Sequence, residues 1–213
     1  MSEKPQQVRQ AYNVWVEQYD TNINATRDLN MQVLRQQAFD FSGKLVLEIG
    51  CGTGLNTIWL AQQAQAVVGA DITEGMLQQA QQRLVDFPAH FLQTDLTKPW
   101  PFGQSFDWIV ANLVLEHVQD LGHIFREAQH VLGQNGRFFL SELHPYKQLQ
   151  GVQARYQDKQ TGEEVLVPAF YHPVSDYVNE ALAAGFSLRH LGEWQSEGDK
   201  IPRLLTLLLA KGL

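Results

Sequence analysis

The run Leu45-Val46-Leu47-Glu48-Ile49 passes without a break into Gly50-Cys51-Gly52-Thr53-Gly54, and no other segment narrows the choice of fold as much. A short apolar run of this kind reads as a parallel strand covered on both faces, which leaves no polar alternation. The glycines that follow let the backbone turn tightly and approach a ligand, where a Cβ would clash or forbid the needed dihedrals. Helix-forming residues from Leu55 to Ala64 come next. Their unpaired N–H groups and the positive end of the helix dipole would face the same crevice. Strand, glycine turn and helix in that order make a cradle for a nucleotide-type cofactor.

Which cofactor depends on the strands that follow. The dinucleotide fingerprint wants a third glycine one position after Gly54, where this chain has Leu55. A second apolar strand, Ala66 to Ala70, ends at Asp71, about 20 residues past Gly50. An acid there can accept hydrogen bonds from both ribose hydroxyls, in NAD enzymes and in other nucleoside binders alike. A third strand, Ala89 to Gln93, leads to Thr94-Asp95-Leu96. Asp95 there suits an adenine amino group, and Leu96 suits the ring. A fourth, Phe106 to Ala111, ends at Asn112 and runs on through Leu113-Val114-Leu115-Glu116-His117-Val118.

These residues together resemble the class I S-adenosylmethionine-dependent methyltransferases, in their small-molecule branch. Glu48 to Gly54 is similar to that family's first motif, Asp71 to its ribose-binding acid and Asp95-Leu96 to its adenine-contacting pair. Asn112-Leu113 with Leu115-Glu116-His117-Val118 is similar to its fourth motif, and Ala11 to Asp20 to its cofactor-covering helix. The resemblance runs from about Val8 to Leu213 and implies S-adenosylmethionine as cofactor, with S-adenosylhomocysteine as product. The cofactor contacts it implies are Tyr19, Glu48, Gly50, Cys51, Gly52, Gly54, Asp71, Ile72, Met76, Asp95, Leu96, Asn112 and Leu113, with no metal. It also implies methyl transfer to O, N or C of a small molecule by in-line displacement. For several residues a plainer reading stands beside the functional one. Asp71 also fits the N-cap of the next helix, Glu48 a cap on loop amides, and Cys51 a small residue with a backbone role.

The fold expected is α/β, a Rossmann-like seven-stranded sheet with helices on both faces. Met76, Leu77, Ala80 and Leu84 share one helical face, as do Leu121, Ile124, Phe125, Ala128 and Leu132, which Gly133 and Asn135-Gly136 close. Arg137 to Leu143 reads as a fifth strand, Val174 to Ala184 as a helix stopped by Gly185, and Phe186 to Trp194 and Leu204 to Ala210 as last strands. The resemblance implies an antiparallel hairpin for that pair and a strand order of 3-2-1-4-5-7-6. One domain, 1–213, is expected, with cofactor-covering helices in 1–42 and an insert at 144–172 that serves as a substrate lid.

Composition agrees and excludes some classes. A chain of 213 residues with 44% apolar content suits one α/β domain with a substantial core. A net charge of -7 argues against a broad nucleic-acid surface. Cys51 is the lone cysteine, so no internal disulfide forms, as suits a reducing cytoplasm. No segment is long and apolar enough to span a bilayer, and no leader pattern opens the chain.

For chemistry on the acceptor, three histidines stand out. His117 follows the fourth strand, His144 ends the fifth, and His172 closes the insert before Pro173. Open α/β sheets bind ligands outside their strand C-termini, which is where these fall. Each also fits a structural role, and Glu142 fits either a site role or a cap. The insert mixes Tyr146, Tyr156, Phe170 and Tyr171 with Lys147, Arg155 and Lys159, a composition for something planar, acidic or both. Tyr12, Trp15 and Tyr19 recur at helical spacing, as a packed stripe does, and Arg27 suits a carboxylate or a surface ion pair. Two other readings remain: a nicotinamide-dependent oxidoreductase, and a cofactor-binding partner without transfer activity.

Overall fold

The computed structural model describes residues 4–103, 105–159 and 161–212. The ends of the expected domain span, residues 1–3 and 213, lie outside them. A seven-stranded sheet forms the centre. Its first five strands are β1 (Leu45–Ile49), β2 (Ala66–Asp71), β3 (Ala89–Gln93), β4 (Phe106–Asn112) and β5 (Leu132–Leu143). All five run parallel, and an antiparallel pair completes the edge: β8 (Phe186–Trp194) and β9 (Leu204–Lys211). The order is β3-β2-β1-β4-β5-β9-β8. It is the expected arrangement, with the last two strands renumbered because the insert holds a small sheet of its own. That sheet pairs β6 (Arg155–Gln157) with β7 (Glu164–Leu166).

Neighbouring residues of the central strands enter opposite cores, which is why these strands read as unbroken apolar runs. Leu47, Ile109 and Phe138 join one core, while Val46, Val110 and Phe139 join the other. The first core takes α5 (Leu121–Val131) and α7 (Val174–Ala183) through Ile124, Phe125, Tyr177 and Ala181. On the opposite face, Leu34 of α2 (Ala25–Gln36) and Leu60 of α3 (Thr57–Ala61) pack with Phe41 and Trp108.

Two boundaries differ from the sequence reading. The helix expected over Leu55 to Ala64 is regular only over Thr57–Ala61, because turns hold its first and last residues. The fifth strand starts at Leu132 rather than Arg137, since Phe106 pairs with Leu132 ahead of a bulge. Asn135 takes a left-handed conformation within it (φ 64°). Two further helices frame the site, α1 (Lys4–Tyr19) and α4 (Glu74–Arg83), and a short α6 (Pro145–Leu149) opens the insert.

A third, smaller core lies off the sheet. Val8, Ala11 and Trp15 of α1 pack with Tyr156 and Val167 of the insert, and the rings of Trp15 and Tyr156 stack at 5.8 Å. The first helix and the insert therefore form one layer above the C-terminal ends of the strands.

Candidate functional site

The glycine turn is shaped by what surrounds it. Gly50 has φ +70°, and a Cβ there would lie 2.5 Å from Val114. Gly52 has φ +54° and open space where a side chain would stand. Gly50 and Cys51 both donate their N–H to the Ala70 carbonyl, which ties the turn to the end of β2. Asp71 completes the tie. One of its carboxylate oxygens accepts from Gly52 N at 2.9 Å, the other from Thr73 N at 2.8 Å. Burial pushes its pKa up, and these two backbone N–H groups oppose the rise.

An open cleft of about 720 Å3 begins at this turn. Tyr19, Gly50, Gly52, Asp71, Ile72, Met76, Asp95, Leu96, Asn112, Leu113 and His117 all line it. Glu48, Cys51, Gly50, Gly52 and Asn112 line an adjoining recess with Arg27. Of the cofactor contacts expected from the sequence, Gly54 alone is found in neither. A Cβ at Gly54 would meet Leu84 and Ala80, so its task is close packing against α4. Asp95 Oδ1 accepts from the N–H and the hydroxyl of Thr97, which holds the carboxylate steady and leaves Oδ2 for another donor. Neither polar atom of the buried Asn112 side chain makes a hydrogen bond of normal geometry, although its amide lies close enough to Glu48 to oppose the rise in that carboxyl's pKa. A buried amide left so is costly unless something else meets it. That orphan, the free oxygen of Asp95 and the bare backbone at Gly52 together fit a polar ligand bearing an adenosyl group and an amino acid end.

Glu48 is buried and accepts from the Thr57 hydroxyl. Desolvation raises its pKa to about 8, against the opposing Thr57 bond. Burial likewise holds the Cys51 thiol well above its ordinary value, so it is a poor nucleophile. Leu113 carries a left-handed backbone (φ 54°), held by its N–H to the Ser141 carbonyl at 2.9 Å. Glu142 supports the same segment from below, its Oε1 accepting from Val114 N and Leu115 N, and burial raises its pKa to about 8. This answers the question of Glu142: it caps the loop that carries Leu113 to His117.

The three histidines part company. His117 lines the cleft. Its Nδ1 lies 2.7 Å from the Pro168 carbonyl, which can only accept, so Nδ1 carries the proton. Nε2 then accepts the Tyr12 hydroxyl at 2.9 Å. His144 is fully buried away from the cleft. Its Nδ1 accepts from Tyr146 N as the N-cap of α6, and Nε2 donates to Glu193 at 2.8 Å. His172 donates from Nε2 to the Val118 carbonyl at 2.8 Å and packs edge-on to Tyr177. These bonds spend each ring on holding loops, and neither His144 nor His172, expected from the sequence to face an acceptor, lines the cleft or the cavity beside it.

Arg27 takes the ion pair that the sequence left open, with Asp28 at 3.0 Å, and caps the Tyr19 and Asn22 carbonyls. Sequence reasoning missed a latch on the other side of the turn. The Thr53 hydroxyl donates to Asp20 at 2.6 Å, and Arg83 donates to both Asp20 and the Thr53 carbonyl. The end of α1 is thereby tied to the glycine turn and to α4. A second cavity, with about 870 Å3 of empty space, meets the first at Tyr12, Tyr19 and Leu113. Among the described residues, no group of three or more His, Cys, Asp or Glu is arranged to hold a metal ion. No helix among them is long and apolar enough to cross a membrane.

Comparison with known proteins agrees with this geometry. Residues 47–140 match a family model described as a methyltransferase domain. A ubiquinone biosynthesis O-methyltransferase of Pasteurella multocida is 31% identical over 134 residues, covering 57% of this chain and 55% of the relative. A malonyl-[acyl-carrier protein] O-methyltransferase of Legionella pneumophila is 28% identical over 154 residues, covering 68% of this chain and 53% of the relative. The chain thus spans about half the length of these curated relatives. The solved DhpI–SAH complex superposes with a TM-score of 0.79 at 20% identity, over 100% of this chain and 99% of that one.

Proposed function

We propose that this chain, which carries a class I S-adenosylmethionine-dependent methyltransferase domain, transfers a methyl group to an O, N or C atom of a small-molecule acceptor. The observation that carries the reading is the convergence of Glu48, Asp71, Asp95 and Asn112, from four neighbouring parallel strands or the turns just after them, on one cleft and its recess. A nicotinamide reading lacks the third glycine and gives Asp95 no task. When bound, S-adenosylmethionine supplies a methyl group activated by a positively charged sulfur and leaves S-adenosylhomocysteine.

The chain's own residues bind and orient. Asp71 takes the ribose hydroxyls with the lone pairs that Gly52 and Thr73 leave over. Asp95 Oδ2 accepts from the adenine amino group, with Leu96, Ile72 and Met76 against the ring. Asn112, Glu48 and the backbone of Gly50 and Cys51 meet the amino acid end, and Tyr19 closes over it. Arg27 lines the same recess, where its charge suits a carboxylate. Holding two reacting atoms about 3 Å apart and aligned supplies much of the acceleration such a reaction needs.

His117 is the histidine this reading uses. Tyr12 lines both cavities and donates to His117 Nε2, so an acceptor hydroxyl can pass its proton to the Tyr12 oxygen as Tyr12 passes its own to Nε2. Glu116 Oε1 stands 3.9 Å from Nε2. His144 and His172 take no proton, since each is committed elsewhere. The insert at 144–172, with α1, forms the lid over the acceptor. We place the protein in the cytoplasm on the strength of its one cysteine, buried and unpaired.

The test is thermal unfolding of the purified chain with S-adenosylhomocysteine and, separately, with NAD, since a ligand that binds only the native state raises the melting temperature. A rise with S-adenosylhomocysteine alone supports the proposal, and a rise with NAD alone sinks it. Transfer of a labelled methyl to any small acceptor then separates an enzyme from a silent partner protein.

A further inference from the structure

We propose that the second cavity is the acceptor site and that it selects an acceptor with an anionic group at the end remote from its nucleophile. This rests on the methyl-transfer reading and adds the charge class of the substrate. At one end the cavity is walled by Tyr12, Tyr19 and Leu113, which it shares with the cofactor cleft, and by Glu116. Arg203, Thr26 and Arg155 line this cavity but not the cofactor cleft. Trp15, stacked on Tyr12, and Leu143, paired with Leu204 next to Arg203, add apolar surface to the same cavity.

Arg203 is fixed in place. Its Nε and one terminal nitrogen bind Asp199 at 2.7 and 2.6 Å, and the other terminal nitrogen donates to the Thr26 hydroxyl at 3.3 Å. These bonds leave N–H donors of the guanidinium unspent. Asp199 does not neutralise it, because the same carboxylate also takes the Lys147 ammonium at 2.7 Å. One carboxylate between two cations leaves an excess positive charge. Only 10% of the Lys147 side chain and 19% of the Arg203 side chain are exposed, so water screens that excess poorly. The start of α2, at Asn24, Ala25 and Thr26, turns its positive dipole end to the same cavity. Arg155 adds a second cation at the rim, paired at 3.2 Å with the exposed Glu164.

Glu116 has the opposite sign and is buried. Its one side-chain donor among the described bonds is Gln148, at 3.3 Å. An anion placed there would be repelled, whereas a hydroxyl or amine would find an acceptor. The two ends together orient the substrate: its acid toward Arg203, its nucleophile toward Tyr12 and the cofactor cleft. A planar or short apolar body between them suits the Trp15 and Leu143 walls.

The experiment uses the full chain saturated with S-adenosylhomocysteine and two matched probes, 4-hydroxybenzoate and its neutral amide, compared by calorimetry. The acid should bind about tenfold more tightly than the amide, the effect of one charge-assisted contact. Arg203→Gln should abolish that preference while S-adenosylhomocysteine binding stays intact. Thr26→Asp, which leaves the Asp199 cluster whole and sets a negative charge against Arg203, should do the same and covers the case in which the first variant does not fold. Equal binding of the two probes, binding of neither, or an acid preference that survives Thr26→Asp would overturn the inference. Failure of S-adenosylhomocysteine to bind would instead overturn the reading beneath it.

Discussion

Tyr12 and His117, far apart in the chain, share one hydrogen bond at 2.9 Å, and their rings meet edge to face at 5.4 Å. The bond joins α1 to the loop after β4 at the place where the two cavities touch. Enclosure by protein holds the Tyr12 phenol well above its ordinary pKa, so at neutral pH it stays a hydroxyl and can relay a proton rather than hold a charge. Replacing Tyr12 with Phe should lower the single-turnover rate on a hydroxyl acceptor about a hundredfold, within the range for lost acid–base help. Affinity for S-adenosylhomocysteine, measured by calorimetry, should change by no more than about tenfold, since the lost group is worth at most one neutral hydrogen bond. An undiminished rate in the variant would remove the relay.

Asp71 serves both the fold of the turn and the ligand, so its loss should register twice. Asp71→Ala leaves the Gly52 and Thr73 N–H groups without their partner. Affinity for S-adenosylhomocysteine should fall by about 2 to 3 kcal/mol, roughly thirty- to a hundred-and-fiftyfold. The melting temperature of the ligand-free protein should fall as well. Asp95→Ala should cost affinity with little change in the ligand-free melt, because Asp95 bonds only within its own turn.

Two glycines two positions apart should answer differently to alanine. At Gly50 the new Cβ meets the branched carbon of Val114 at 2.5 Å on a left-handed backbone, so both strain and collision oppose it. A loss of at least about 2 kcal/mol of stability is expected, by urea unfolding. At Gly52 no atom lies within 4 Å, so only the backbone conformation resists, at about 1 kcal/mol. Gly52→Ala should nonetheless cut cofactor affinity sharply, because its Cβ would stand in the ligand's space. Equal stability losses at the two positions would contradict the packing described.

Buried Glu142 makes stability depend on pH in a definite direction. Its folded pKa, about 8, is above the ordinary carboxyl value, so the folded chain keeps a proton that the unfolded chain releases. Its contribution is fully present below the unfolded carboxyl pKa and is lost as the pH climbs through about 8. Glu48 adds to the same trend. Urea unfolding of the ligand-free chain should show a decline of several kcal/mol between about pH 5 and about pH 9, at ~1.4 kcal/mol for each unit by which a folded carboxyl pKa exceeds its unfolded value. Glu142→Gln should flatten part of that slope.

Arg83 should govern how firmly the first helix is fastened. Arg83→Ala removes its bonds to Asp20 and to the Thr53 carbonyl. Cleavage by a dilute protease near residues 20–24 should speed up several-fold, since local opening sets such rates. The core of the sheet should melt within a few degrees of the parent.

What the sequence made legible was local. Four strands announced themselves because each leads, at its end or just after it, to a residue of the site: Gly50, Asp71, Asp95 and Asn112; the fifth leads to His144, which caps α6 instead. The edge hairpin and the strand order came from family likeness, since nothing in Phe186 to Trp194 tells which strand it pairs with. The groups that hold the site together are remote in sequence, and that is why they escaped. Asp20 meets Arg83, and Lys147 meets Asp199, across more than fifty residues each. Glu193, exposed on an edge strand, gave no hint that His144 bonds to it. The β6–β7 hairpin carries charged and polar residues on three-residue strands, too short for any alternation to show. One signal was present and read too narrowly: His144-Pro145 is also a helix start, with proline at the first helical position and the histidine ring as its cap.

The stacked pair of Trp15 and Tyr156 belongs to a core that shares no member with either sheet core. The roof of this molecule is therefore fastened to itself as well as to the floor. Its inner wall can be recarved by substitution without disturbing the beams below. One unchanging donor seat can in this way face a succession of different clients over evolutionary time.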